Sequence, residues 1–429
     1  MTPPRQLRAG SRRRIAALLA FVALAVLLAV PAVVGPPRPE RLLSPVQVRS
    51  DIEVPGTVSL SRDCGFSTPL PGHPGRSLWL FCDTPVYVRG QNASGHVTWV
   101  LSRFIAGSTA AVGRAAAAGH PPGPLSELGT PRLLAAAGVT GVPALSGRPG
   151  LGGRLAPGGV PEPFLPAPTG LVRRAGLPCG QISGSYAASW VTGVAREPYR
   201  PDLLVTFNDF CVIPGNLIPE GFGLAEYDPA TGTLVRVAAV FTRADFGGTA
   251  AEMSTMELGS PVFSDRYLYL FARCPPGGGG TRGPCRSGAV FEARVAANPS
   301  AWTRPLSYQW WSRDTPTSWT SDAAQATSII AGPEPDGVSV ASFGGRRFVL
   351  VEQTSLKGAF AVYKSPSPAG PWQPITSGQV RCGTATGFLN FCRAIIAHPE
   401  YSTRTQLILS YFNPATAPHG HVMMAGFRW

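Results

Sequence analysis

The chain has 429 residues, 44% of them hydrophobic, enough to bury a sizeable core. Fifty glycines and 45 prolines point to many turns and short strands and exclude a mainly helical protein. The net charge is +13 and almost all of it is arginine, since Lys357 and Lys364 are the only lysines. Five arginines precede the first apolar run, which leaves roughly +8 spread along the rest, with no concentrated basic stripe to suit a nucleic-acid partner.

In chain order, residues 1–14 form a basic tail. Residues 15–34, IAALLAFVALAVLLAVPAVV, carry no charge and are about long enough to cross a bilayer. The arginines before them hold that end in the cytoplasm. Two readings stay open. As a signal anchor the segment tethers an extracytoplasmic domain to the cell membrane. As a cleaved signal peptide, with Val30-Pro31-Ala32 as the small-residue site, it yields a secreted protein. Residues 35–49 read as a Pro/Arg-rich stalk.

From residue 50 to 429 the text is strand-like. VSLS (58–61), SLWLFCD (77–83) and HVTWVLSR (96–103) are short apolar or alternating runs between turns. Residues 105–178 break the pattern: Gly and Pro dominate and Phe164 is the lone aromatic, so the stretch reads as a low-complexity insertion that cannot build a core. Strands resume at 186–193, 202–212, 222–228 and 233–241. Further groups follow at 260–264, 267–274, 289–295 and 305–311, at 337–343, 346–353 and 358–365, and at 391–398, 406–412 and 421–429. About five clusters of three or four strands predict an all-β, five-bladed β-propeller, with a pair of β-sandwiches as the alternative. Either VSLS or HVMMAGF is expected to close the last blade.

Eight cysteines behind an export segment, with no C-x-x-C, read as disulfides rather than a zinc site. Sequential pairing is the simplest arrangement: Cys64–Cys82, Cys179–Cys211, Cys274–Cys285 and Cys382–Cys392.

Several stretches resemble a known group. RDCGFS (62–67) followed by RSLWLFCDT (76–84) is similar to the opening of secreted actinobacterial five-bladed propellers catalogued as domains of unknown function. Those usually read R-D-x-G-x-S and then W-L-F-G-D-T. YAASWVTG, LGSPVF with YLYLF, SPSPAGPW (365–372) and AHPEYSTRTQLILSYFNP (397–414) look alike too. The likeness spans roughly 50–104 and 180–429. A neighbouring group resembles glycoside hydrolases that cut D-arabinan in cell envelopes. The resemblance implies a propeller with an axial pocket and a glycan ligand. One departure is Cys82, which stands where the group usually has glycine before its second Asp.

Propeller sites gather where the innermost strands converge, and the first strand of each cluster is the expected inner one. That nominates Asp63, Trp190, Ser260 with Glu257, and His398 with Glu400. Glycosidic hydrolysis needs two carboxyls, one as acid and one as nucleophile or base. The first pair proposed by the sequence is Asp63 as nucleophile or base and Glu257 as acid. Trp190 offers a stacking surface, and Arg62, Asp83, Ser260, His398 and Glu400 are candidates for binding substrate. Asp63 and Asp83 equally suit turn formation, and Trp190 a core position. Asp209 and Glu352 read as edge or turn residues. No cofactor is called for, although carboxylates round an axis would admit Ca²⁺. The expected partner is cell-envelope polysaccharide and the expected state a monomer. A non-catalytic propeller binding glycan or protein is the alternative function.

Overall fold

The computed structural model describes residues 40–115, 119–134, 159–168, 172–174, 177–181, 183–242, 257–273, 289–331, 337–344, 347–383 and 391–429. The predicted tail and apolar segment, residues 1–34, lie outside them, as do Cys274 and Cys285. Among the described residues no helix is long and apolar enough to cross a membrane.

The chain is nearly all β. Five antiparallel sheets follow one another along it. The first holds Cys64–Pro69, Arg76–Phe81, Thr109–Arg114 and Ser126–Glu127. The second holds Tyr186–Arg196, Leu203–Ile213, Asn216–Asp228 and Thr233–Thr242, with Arg132–Leu133 added in parallel. The third is built on Glu257–Ser264, Tyr267–Arg273 and Ala289–Ala296, the fourth on Gly337–Ser342, Phe348–Gln353, Ala359–Ser365 and Gln373–Gln379. The fifth holds Arg393–Ala397, Gln406–Asn413 and His421–Arg428, and is completed by Arg41–Gln47 from the other end of the chain.

The first strand of each sheet packs against the first strand of the next, and that of the fifth returns to that of the first. The core is distributed to match. One apolar cluster fills the seam between the first and second sheets (Leu78, Leu80, Leu203, Val205). Others fill second to third (Leu204, Phe222, Leu268, Phe291), third to fourth (Phe271, Val290, Leu350) and fourth to fifth (Val351, Phe360, Leu407, Leu409). A fifth closes the ring with Trp79 and Phe81 against Tyr401, Ile408 and Met424. Middle strands are therefore covered on both faces, which is why Phe348–Gln353 is buried at every residue and reads as continuous rather than alternating.

Three expectations are corrected. Arg41–Gln47, assigned to the stalk, is the outer strand of the fifth sheet. VSLS does not close that sheet. Val58–Leu60 instead pairs with Thr84–Gln91 in a separate three-stranded sheet that ends on Val97–Ile105. The 105–178 insertion is narrower than its composition suggests: Thr109–Arg114 is a strand of the first sheet, and Leu125, Leu128, Phe164 and Leu165 are buried. Alanine and threonine suffice for a strand that two neighbouring sheets cover.

The inner strands approach very closely. A Cβ on Gly193 would lie 2.4 Å from Pro261 Cδ and 2.8 Å from the Ser260 nitrogen. Because that neighbour is backbone, Gly193→Ala is expected to destabilise by about 1–3 kcal/mol, read as a lower urea midpoint with an unchanged slope.

Candidate functional site

A cavity of about 610 Å³ lies where the five inner strands converge, and all five sheets contribute to its wall. Its residues sit where the ladders are irregular. The register slips between Cys64 and Phe66, Val191 and Gly193, Gly259 and Val262, and Arg393 and Ile396, on four of the five inner strands. Cys64, Ser260 and Ala394 have positive φ (64°, 49° and 56°). Each directly follows a residue that lines the cavity: Asp63, Gly259 and Arg393. Bulges re-aim side chains in this way beside functional sites. At the first of them Gly65 has φ 101°, which glycine alone adopts without strain.

Among the described residues, two carboxyls line the cavity. Asp63 and Asp83 flank the Cys64–Cys82 disulfide, and the Cys82 amide donates to the Asp63 carbonyl at 3.1 Å. Asp63 is ion-paired with Arg393, whose Nε and Nη2 both donate to Oδ2, at 2.9 and 2.7 Å. Its Oδ1 is buried without a hydrogen-bond partner among the described residues. Asp83 is held by three donors: the Gly107 amide (2.7 Å) and Trp190 Nε1 (2.8 Å) on Oδ1, and the Tyr186 hydroxyl (2.5 Å) on Oδ2. Burial, and then the charge of Asp63, push its carboxyl up to about 7 despite those donors. Trp190 packs on Phe210, ring centroids 4.6 Å apart. The Arg393 guanidinium lies 4.0 Å over Phe412. His419 also lines the cavity, stacked on Tyr87 at 3.8 Å, and burial holds its imidazole below its ordinary value. The wall is thus mainly apolar and aromatic, with few polar groups, as small-molecule sites are.

The nominated residues separate into two groups. Asp63, Asp83 and Trp190 come together at the cavity. Glu257 opens its inner strand two residues before Gly259, and its side chain lies outside the described residues. The other four nominations are placed as follows. Arg62 also contributes to the cavity wall, but its buried guanidinium pairs with Glu127 and lies 4.4 Å over Phe81. Ser260 is buried and donates to the Val338 carbonyl at 3.2 Å. His398 is fully buried, stacked on Trp79 at 5.0 Å, with Nδ1 2.6 Å from Ser67 Oγ, and burial lowers it to about 3. Glu400 accepts from the same hydroxyl, and burial raises it to about 7. Both belong to the seam between the fifth and first sheets and do not line the cavity. Asp209 and Glu352, read as edge or turn residues, sit inside strands: Asp209 accepts from Ser189 Oγ at 2.6 Å and Glu352 from the Tyr363 hydroxyl at 3.0 Å.

Sequence reasoning passed over Arg393 and Tyr186, which hold the two acids. The one available signal for Arg393 was a lone charge inside the apolar run FCRAIIAH. Cys64–Cys82, Cys179–Cys211 and Cys382–Cys392 are bonded. Asp63, Cys64 and Cys82 are close enough to suggest a metal site, but both sulfurs are in the disulfide. Asp63 is taken by Arg393 and Asp83 by three donors, so these residues do not make the six to eight oxygen ligands that Ca²⁺ takes.

No family model matches the chain, and no curated protein matches it in sequence. Among solved structures, it is similar to a proposed hydrolase of Bacteroides ovatus, at 14% identity over 89% of this chain and 87% of that one, with a TM-score of 0.46. It is similar to the GH43_1 enzyme of Xanthomonas citri in complex with xylotriose, at 10% identity over 90% of each chain, with a TM-score of 0.41. It is also similar to a family 117 glycoside hydrolase of Zobellia galactanivorans, at 9% identity over 91% and 90%, with a TM-score of 0.41.

Proposed function

We propose that this chain is a five-bladed β-propeller that hydrolyses a neutral cell-envelope polysaccharide, arabinan-type glycan being the first candidate, in the cavity on its axis. The five-blade reading is supported by five apolar seams, the last joining the fifth sheet to the first. The observation that carries the activity is the pair Asp63 and Asp83 on one cavity wall, in unlike environments. A buried carboxyl held protonated beside an ion-paired one is how acid and base roles are divided. Asp83, raised to about 7, keeps its proton in mildly acidic to neutral solution and serves as the acid. Asp63 serves as nucleophile or base through Oδ1, and its Oδ2 is fixed by Arg393. Since Oδ1 is buried, the reaction requires it to become accessible as the sugar enters. The Asp63–Arg393 ion pair cancels its own charge beside a carboxyl of this kind, which suits an uncharged sugar.

Three disulfides support an oxidising, extracytoplasmic location, with residues 15–34 as tether or signal. A second reading, a glycan-binding propeller without catalysis, is favoured by one observation: protein donors already satisfy both oxygens of Asp83 and one of Asp63. The test is incubation of the purified chain with D-arabinan, arabinogalactan and other envelope polysaccharides, beside Asp63→Asn and Asp83→Asn. Released oligosaccharides that vanish in both variants establish the hydrolase and its pair. Products that persist in both overturn the assignment. Retention on a polysaccharide without products establishes the binder.

A further inference from the structure

The three-stranded sheet of Val58–Leu60, Thr84–Gln91 and Val97–Ile105 stands outside the five-sheet ring. Its hairpin, Thr84–Gln91 with Val97–Ile105, is inserted between the second and third strands of the first sheet, directly after Asp83, and Val58–Leu60 precedes the first strand of that sheet. Its two faces differ. One packs inward through Val86 and Ile105 on Leu60, with Ile52 and Val58 beside them. The other follows from the register, which sets Pro85 opposite Phe104, Tyr87 opposite Leu101, Arg89 opposite Trp99 and Gln91 opposite Val97. In a strand, residues two apart share a face, and the bulge that skips Ser102 brings Leu101 to the face of Phe104. Pro85, Tyr87 and Phe104, at the inner end, line the cavity. Farther out the same face carries Leu101 (50% exposed), Trp99 with the Arg89 guanidinium 4.8 Å over its ring, and Val97 (68% exposed). A strip of roughly 20 Å therefore runs from the cavity to the tip of the hairpin, exposed at Phe104, Leu101 and Val97 and covered by His419 at Tyr87.

We infer that this strip is a docking platform for the part of a glycan chain that extends beyond the cavity, so that the ligand is a polymer and not a mono- or disaccharide. The inference rests on the proposed function of the cavity. Continuity selects the occupant, because whatever lies on Leu101 and Trp99 leads into the cavity past Tyr87 and Phe104. The chemistry fits an uncharged polymer. The strip has no carboxylate, and its aromatic and aliphatic surfaces suit the C–H faces of sugar rings. Arg89 and Gln91 supply donors at its edge. The inner end is also tied to the acid: Phe104 meets Tyr186 edge-on at 5.1 Å, and the Tyr186 hydroxyl donates to Asp83. A chain seated on the strip thus bears on the side chain that positions Asp83.

The test is affinity electrophoresis of the full chain in gels containing soluble arabinogalactan or D-arabinan, comparing wild type with Trp99→Ala, Leu101→Ser and Asp83→Asn. Wild type is expected to be retarded, and Asp83→Asn serves only to stop hydrolysis during the run. Each strip variant is expected to bind roughly five- to tenfold more weakly, with an unchanged melting temperature. Leu101 is half exposed, so its substitution keeps the comparison valid if Trp99→Ala misfolds. Retardation that is intact and strip-dependent, in a protein that releases no product, supports the platform while overturning the hydrolase. Retardation that survives both strip substitutions overturns the platform, as does absence of retardation in every gel. Strip-dependent binding to phosphatidylglycerol vesicles in place of polysaccharide overturns it in favour of a lipid surface.

Discussion

Asp83→Asn is expected to lower turnover of the glycan by roughly 10²–10⁴-fold while leaving the protein folded, the range over which a positioned acid acts. The geometry makes asparagine a clean substitution. Its Oδ1 keeps the Gly107 amide and Trp190 Nε1, and the Tyr186 hydroxyl can rotate to accept from Nδ2. The pH dependence follows from the same carboxyl. Burial and the neighbouring Asp63 raise it from 3.8 to about 7, so it holds its proton below that pH and loses it above. Wild-type kcat/KM is therefore expected to fall on the alkaline side with an inflection near 7, and the residual activity of the variant to show no such limb. Stability gives an independent sign. The unfolded carboxyl titrates at its ordinary value, so between about pH 4 and 7 the native state binds the extra proton. The contribution is complete below pH 4 and is lost as pH rises toward 7. Asparagine stays neutral throughout, so the melting temperature of the variant minus that of wild type should rise from pH 4 to pH 8. A flat difference would show that Asp83 is not raised.

The strand rhythm and the location of one acid were legible before the structure, and the reasons lie in particular residues. DLLVTFNDFCV, RRFVLVEQ and QLILSYF are middle strands covered by two sheets, so they are apolar throughout and stand out. Outer and irregular strands were missed. Gln373–Gln379 is polar because one edge faces solvent, and Arg41–Gln47 contains Pro45, which an edge strand tolerates. Cys64–Pro69 hides behind its bulge. Asp63 was found through its glycine and cysteine neighbours, but its partner Arg393 lies 330 residues away and meets it only because the ring closes. The same closure misled the choice of His398 and Glu400. They follow the fifth inner strand and hydrogen-bond to Ser67 in the first sheet, so they fill the closing seam rather than the axis. Order along the chain does not say which side of a strand end faces the cavity.

Removing the Cys64–Cys82 bond by the double substitution to serine is expected to cost about 3 kcal/mol of stability, the loop-closure value for a separation of 18 residues. Removing Cys179–Cys211, separation 32, should cost a similar amount, roughly 3–4 kcal/mol. Their effects on function should differ sharply. Three charged groups of the cavity each adjoin a bonded cysteine: Asp63 beside Cys64, Asp83 beside Cys82, and Arg393 beside Cys392. The 64–82 bond thus ties together the two carboxyls whose separation the chemistry depends on, and neither Cys179 nor Cys211 adjoins a charged cavity residue. A misplacement of about 1 Å at a reacting group costs on the order of 10²-fold in rate. Measured well below both melting temperatures, kcat should fall by about that factor in the 64–82 variant and by less than about threefold in the 179–211 variant. Equal losses would make the bond a general staple of the fold. The predicted inequality would give Cys82 a role beyond stability: its bond to Cys64 fixes Asp83 relative to Asp63.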